Sequence, residues 1–139
     1  MHALIVFAHP EPASFNGTLK DAAAARLEAL GHTVEVSDLY GEAFDPVEGA
    51  AHYADRQDPD HFAALAEQRH AGQRGTLPAE VRREIARIER ADLVIFQFPL
   101  WWHAQPAILK GWFDRVFVNG LLYSGSKRYD RGFFRGRRA

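Results

Sequence analysis

The chain has 139 residues, a formal charge of -1, 47% hydrophobic and 25% charged residues, which is the composition of one globular domain with a core of its own. Its near-neutral charge argues against a nucleic-acid partner, and no apolar run approaches the roughly 20 residues needed to cross a bilayer. There is no cysteine, which removes disulfides, thiolate catalysis and cysteine metal sites together. The amino terminus passes straight into an apolar run without a basic region or a cleavage site, so no secretion signal is read and a cytoplasmic location is expected.

Residues 3–8, Ala-Leu-Ile-Val-Phe-Ala, suit a central strand of a parallel sheet. His9-Pro10-Glu11-Pro12-Ala13 breaks the run, and Ser14 is a plausible N-cap for a helix over 15–30 with apolar positions at Leu19, Ala23, Leu27 and Leu30. Gly31 stands where a left-handed stop is expected. Residues 33–37 alternate and read as a strand near the sheet edge, which completes a right-handed βαβ unit. Residues 41–78 form a polar excursion without sustained period, containing one helix near 59–69. Residues 79–90 form an amphipathic helix with Val81, Ile85 and Ile88 on one side.

The next stretch organises the chain. Residues 93–98 read as a strand buried on both faces, ended by Pro99, which cannot donate a ladder hydrogen bond. Pro106 opens a helix whose apolar positions are Ile108, Leu109, Trp112, Phe113, Val116 and Phe117. Between them lies Leu100-Trp101-Trp102-His103-Ala104-Gln105. In open α/β sheets ligands bind beyond the carboxyl ends of the strands, so the two indoles either stack on a flat ligand or plug the top of the core. Asn119-Gly120 marks a turn, and a loop punctuated by Gly125, Gly132 and Gly136 carries six basic residues to the end. Those are read as a solvated face, with phosphate binding as the lesser alternative. Three parallel strands make a poor sheet, so the sequence looks like the front of a five-stranded doubly wound domain, truncated after the third strand. Residues 137–139 are the expected opening of a fourth strand.

Neither GxGxxG nor GxxxxGK[ST] occurs, and no serine sits in a GxSxG elbow. His52, His61 and His70 recur every nine residues, a spacing that does not gather ligands on a helix, so no metal site is expected. What remains is the start of the first helix, where backbone N–H groups around Ser14, Phe15 and Asn16 can hold a phosphate. Beside it, at the next strand's end, lie Trp101, Trp102 and His103. Together they suggest a phosphate-bearing, flat aromatic cofactor lying across the two strand ends, a description that flavin nucleotides meet.

The loop His9 to Asn16, the segment Ser37-Asp38-Leu39-Tyr40, the run from Ala91 to Leu100 and Pro106-Ala107-Ile108-Leu109-Lys110-Gly111-Trp112-Phe113 closely resemble the NAD(P)H:quinone oxidoreductases of the DT-diaphorase type. The resemblance extends through Asp58-Pro59 and Tyr129-Asp130-x-Gly132. It implies a flavodoxin-like α/β fold, a homodimer, bound FAD rather than FMN, and two-electron ping-pong hydride transfer from NAD(P)H through the flavin to a quinone. It also implies that His9, Ser14, Phe15 and Asn16 hold the pyrophosphate, that Pro99, Leu100, Trp101, Trp102 and His103 line the isoalloxazine ring, and that Tyr123 closes the substrate pocket from the partner subunit. His103 departs from the aromatic ring of the mammalian members. The family's Thr-Thr-Gly-Gly loop, and the Tyr and His that steady the reduced flavin, lie beyond residue 139, so the isolated chain is expected to hold little flavin and to show little activity. No side chain present is a strong general acid or base. The alternatives are an FMN-using reductase of the same fold and a non-catalytic ancillary subunit of a potassium-efflux system.

Overall fold

A computed structural model describes residues 1–139. Three parallel strands, β1 (His2–Phe7), β2 (Thr33–Asp38) and β3 (Leu93–Gln97), form a sheet in the order β2-β1-β3. Ala3 pairs with Val34 on one side and Leu93 on the other. The apolar run of β1 therefore occupies the one strand with neighbours on both sides, and residues 3–8 are fully buried. β2 takes the edge that its alternation predicts.

Ser14 caps α1 (Phe15–Ala29), its Oγ accepting the Gly17 N–H at 3.1 Å. Gly31 ends the helix at φ 82°, as expected of a left-handed stop. The expected apolar face of α1 is only half-buried, and Leu19 and Leu30 are exposed. The alanines around Ala23 present little surface to cover.

Two expectations are corrected. The helix of the excursion is α2 (Ala64–Arg74), which begins five residues later than the 59–69 reading. Glu67 holds the preceding segment open: its carboxylate accepts the N–H groups of Gln57 and Asp58 and the Arg56 guanidinium. Burial opposes ionisation of Glu67, but those donors outweigh it and keep its carboxyl below the usual range. Second, β3 is not buried on both faces. Val94 is buried, but Leu93 and residues 95–97 are half-buried. Only one bridge is made on the outer edge of β3: Arg138 pairs in parallel with Leu93, its carbonyl accepting the Val94 N–H at 2.9 Å, while an apolar cleft lined by Phe96, Phe113, Phe117 and Phe134 flanks the rest. Residues 137–139 thus do begin a fourth line of pairing.

The helix α3 (Ala79–Arg90) buries Val81, Ile85 and Ile88. Pro106 precedes α4 (Ala107–Val116), which buries Ile108, Leu109, Trp112 and Val116. Gly111 lets α4 meet the excursion: a Cβ there would stand 2.1 Å from the Pro46 carbonyl oxygen. In the basic tail, Arg137 donates to the carbonyls of Ile88, Glu89 and Ala91, closing the carboxyl end of α3. It is committed to structure, so the phosphate alternative does not hold for Arg137. No helix is long and apolar enough to cross a membrane.

Candidate functional site

The parallel pairing of β1 with β3 brings two loops to one end of the sheet. The first runs from Ala8 to Ser14. The Glu11 carbonyl accepts the Ser14 N–H, and the Glu11 carboxylate accepts the Ala13 N–H at 2.9 Å, so a compact turn delivers Ser14 to the helix start. The first N–H groups of a helix have no partner inside it. Ser14 satisfies that of Gly17, while Phe15 and Asn16 keep theirs free. The Ser14 hydroxyl still has its own proton to donate. Close contact is what holds the turn against the helix, because Gly17 lies directly under the Pro12 carbonyl.

The second loop follows β3. Trp101 and Ala104 exchange backbone hydrogen bonds of 3.0 and 3.1 Å, closing a two-residue turn around Trp102 and His103. Both central residues are left-handed, at φ 51° and 62°. That is the geometry of a type I′ turn, in which Asn-Gly is the favoured pair. Bulky residues held there carry of order 1–3 kcal/mol of strain each, and such strain gathers at functional sites. The turn displays Trp102, which is 97% exposed, so the core-plug reading fails for this indole. Leu100 and Phe15 are each 76% exposed, and His103 is exposed as well. Pro99 is half-buried at the base of the loop.

Two contacts join the loops. The His9 imidazole and the Trp101 indole lie 6.0 Å apart between centroids at 59°, and the Glu11 N–H meets His9 Nδ1 at 3.0 Å. Nδ1 lies equally close, at 3.0 Å, to the Glu11 carbonyl oxygen. The second contact was not anticipated: Gln97 Nε2 donates to Asn16 Oδ1 at 2.7 Å. A lone polar residue in an apolar strand was the available signal. Tyr123 lies elsewhere, in the loop beyond α4, half-buried, its carbonyl accepting the Gly120 N–H at 2.7 Å. No hydrogen bond joins it to the other candidates in this chain. His52, His61 and His70 gather no cluster able to hold a metal.

A flat ligand with an anionic tail fits this donor set: free N–H groups and a hydroxyl at the helix start, and exposed apolar and aromatic faces on the adjoining loop. Asn16→Asp should therefore weaken binding of such an anion at least about tenfold, since a donor to a charged group is replaced by a like charge. The loss should shrink at high salt. Titrating FAD at low and high ionic strength reads both; equal affinities for mutant and parent would put the phosphate elsewhere.

The architecture is that of a doubly wound α/β protein, and the comparisons agree. The chain belongs to the flavodoxin-like fold family, whose model matches residues 1–139. It is 44% identical over 138 residues to NAD(P)H dehydrogenase [quinone] 1 of Cavia porcellus, covering 99% of this chain and 50% of that protein. It is also 44% identical to ribosyldihydronicotinamide dehydrogenase [quinone] of Mus musculus, covering 98% of this chain and 59% of the relative. The crystal structure of a candidate quinone reductase from Klebsiella pneumoniae superposes with a TM-score of 0.90 at 38% identity, over 100% of this chain and 57% of that one. The resemblance to the quinone oxidoreductases and the flavodoxin-like fold are thus borne out, and the chain spans about half the length of the curated relatives it matches.

Proposed function

We propose that residues 1–139 form the flavin-binding part of an oxidoreductase that passes a hydride from NAD(P)H through FAD to a quinone. The observation that carries this is the convergence, at one end of the sheet, of an anion-ready helix start with a strained, solvent-exposed aromatic turn. His9, Ser14, Phe15 and Asn16 hold the pyrophosphate. Pro99, Leu100, Trp101, Trp102 and His103 present the face on which the isoalloxazine ring rests. Two relatives at 44% identity bear quinone dehydrogenase names, which supports the reaction class. FAD rather than FMN, a homodimer, and closure of the pocket by Tyr123 from the partner subunit rest on the resemblance of the motifs. When bound, the flavin supplies the two-electron chemistry. The chain's own groups bind and orient it, and none of them is placed as a general acid or base.

The test is flavin retention. Extended by a family-like C-terminal segment, the parent for these flavin tests, and equilibrated with FAD, FMN or neither, the protein should hold FAD after gel filtration, and Trp102→Ala should weaken that hold about tenfold or more, because base–aromatic stacking is worth roughly 1–3 kcal/mol. Absence of flavin binding by the parent would overturn the function. Unchanged retention in the mutant would remove Trp102 from the ring face.

A further inference from the structure

Gln97 is the only polar residue of β3, and its side chain reaches across the switch point to the first turn of α1. A carboxamide has one acceptor end and one donor end. With Asn16 Oδ1 taken by Gln97 Nε2, the two N–H groups of Asn16 Nδ2 stay free beside the free backbone N–H groups of Phe15 and Asn16. The reverse pairing, in which Asn16 Nδ2 donates to the Gln97 side-chain oxygen, would instead leave an acceptor oxygen at the helix start, where it would repel an anion. The strand fixes where Gln97 sits: its carbonyl accepts the Ala8 N–H at 3.0 Å, and Phe7 pairs with it in register.

We propose that Gln97 is a positioning residue for phosphate recognition, holding the Asn16 carboxamide with its donor end free for the phosphate of the flavin nucleotide. The proposal rests on the flavin reading of the site. Gln97 acts through Asn16, and its contribution is to the phosphate end of the ligand and not to the ring. Riboflavin, which has the ring without a phosphate, separates the two.

The experiment titrates FAD and riboflavin into the parent, Gln97→Met, Asn16→Ala and the double variant, following flavin fluorescence. Methionine keeps the length and bulk of the side chain without its hydrogen bond. In Gln97→Met, FAD affinity should fall about three- to tenfold, the range of one intramolecular hydrogen bond, with riboflavin affinity unchanged. In the Asn16→Ala background the same substitution should cost nothing further, because the partner through which it acts is gone. A parallel fall for FAD and riboflavin would mark Gln97 as merely structural and overturn the proposal. So would a cost that persists without Asn16. If the parent binds neither ligand, the flavin reading itself falls, an outcome distinct from both. Riboflavin binding by each variant doubles as the check that the site has folded.

Discussion

Gly17→Ala should lower the melting temperature by roughly 5–10 °C and abolish flavin retention, even though it places the best helix former in a helix. Propensity alone would make the change favourable by about 1 kcal/mol. Geometry opposes it: a Cβ at position 17 would lie 1.8 Å from the Pro12 carbonyl oxygen and 2.8 Å from its carbon, and both are backbone atoms that cannot rotate away. The turn must retreat from the helix, taking with it the Glu11 carbonyl that holds the Ser14 N–H. Overpacking costs about 1–3 kcal/mol where neighbours can yield, and a backbone neighbour yields less. At this chain length each kcal/mol is worth a few degrees. Loss of the Ser14 cap then removes the ordered donors on which the proposed phosphate site depends. Calorimetry and flavin content would check the two halves separately. A mutant as stable as the parent would show that the Pro12 turn is not seated against the helix.

Much of this fold was legible because its signals are local. An apolar run with no polar interruption put β1 at the centre, a 3.6-residue period located α3, and Ser14 with Gly31 bracketed α1. The strand β3 misled because an apolar run reports what a strand can bury, whereas actual burial depends on neighbours, and its outer edge has only the Arg138 bridge. The helix α2 misled because Glu67 captures the amides of Gln57 and Asp58, so the segment after Pro59 stays open. At the site, the two loops could be placed together from strand order alone. Their fastening could not. Trp102-His103 is a poor pair for a type I′ turn by turn chemistry, so nothing local announces that geometry. The Gln97–Asn16 bond joins residues 81 apart and exists only once β1 and β3 lie side by side.

The largest loss of stability is expected from Glu84→Ala. Glu84 is 1% exposed and its carboxylate joins three elements. One oxygen accepts the Ser37 hydroxyl of β2 at 2.7 Å and the Trp112 indole N–H of α4 at 2.9 Å, and the other accepts Arg87 of its own helix α3 at 2.6 Å. Alanine would leave the hydroxyl and the indole N–H buried without partners and open a cavity among them. Breaking a buried charged network from one side costs about 3–5 kcal/mol. Arg87 softens the loss, since Glu35 and Glu42 also pair with it, at 3.1 and 2.9 Å. The lower part of that range, about 3 kcal/mol, is therefore expected, against a total of about 5–15 kcal/mol for a domain. Urea unfolding would measure it. Ser37→Ala deletes only the buried hydroxyl that donates to Glu84, so alone it should cost about 1 kcal/mol. In the Glu84→Ala background that cost should vanish, because the orphaned donor is gone as well. An undiminished cost there, or a Glu84→Ala protein within about 1 kcal/mol of the parent, would show that packing and not this carboxylate ties α3 and α4 to the sheet.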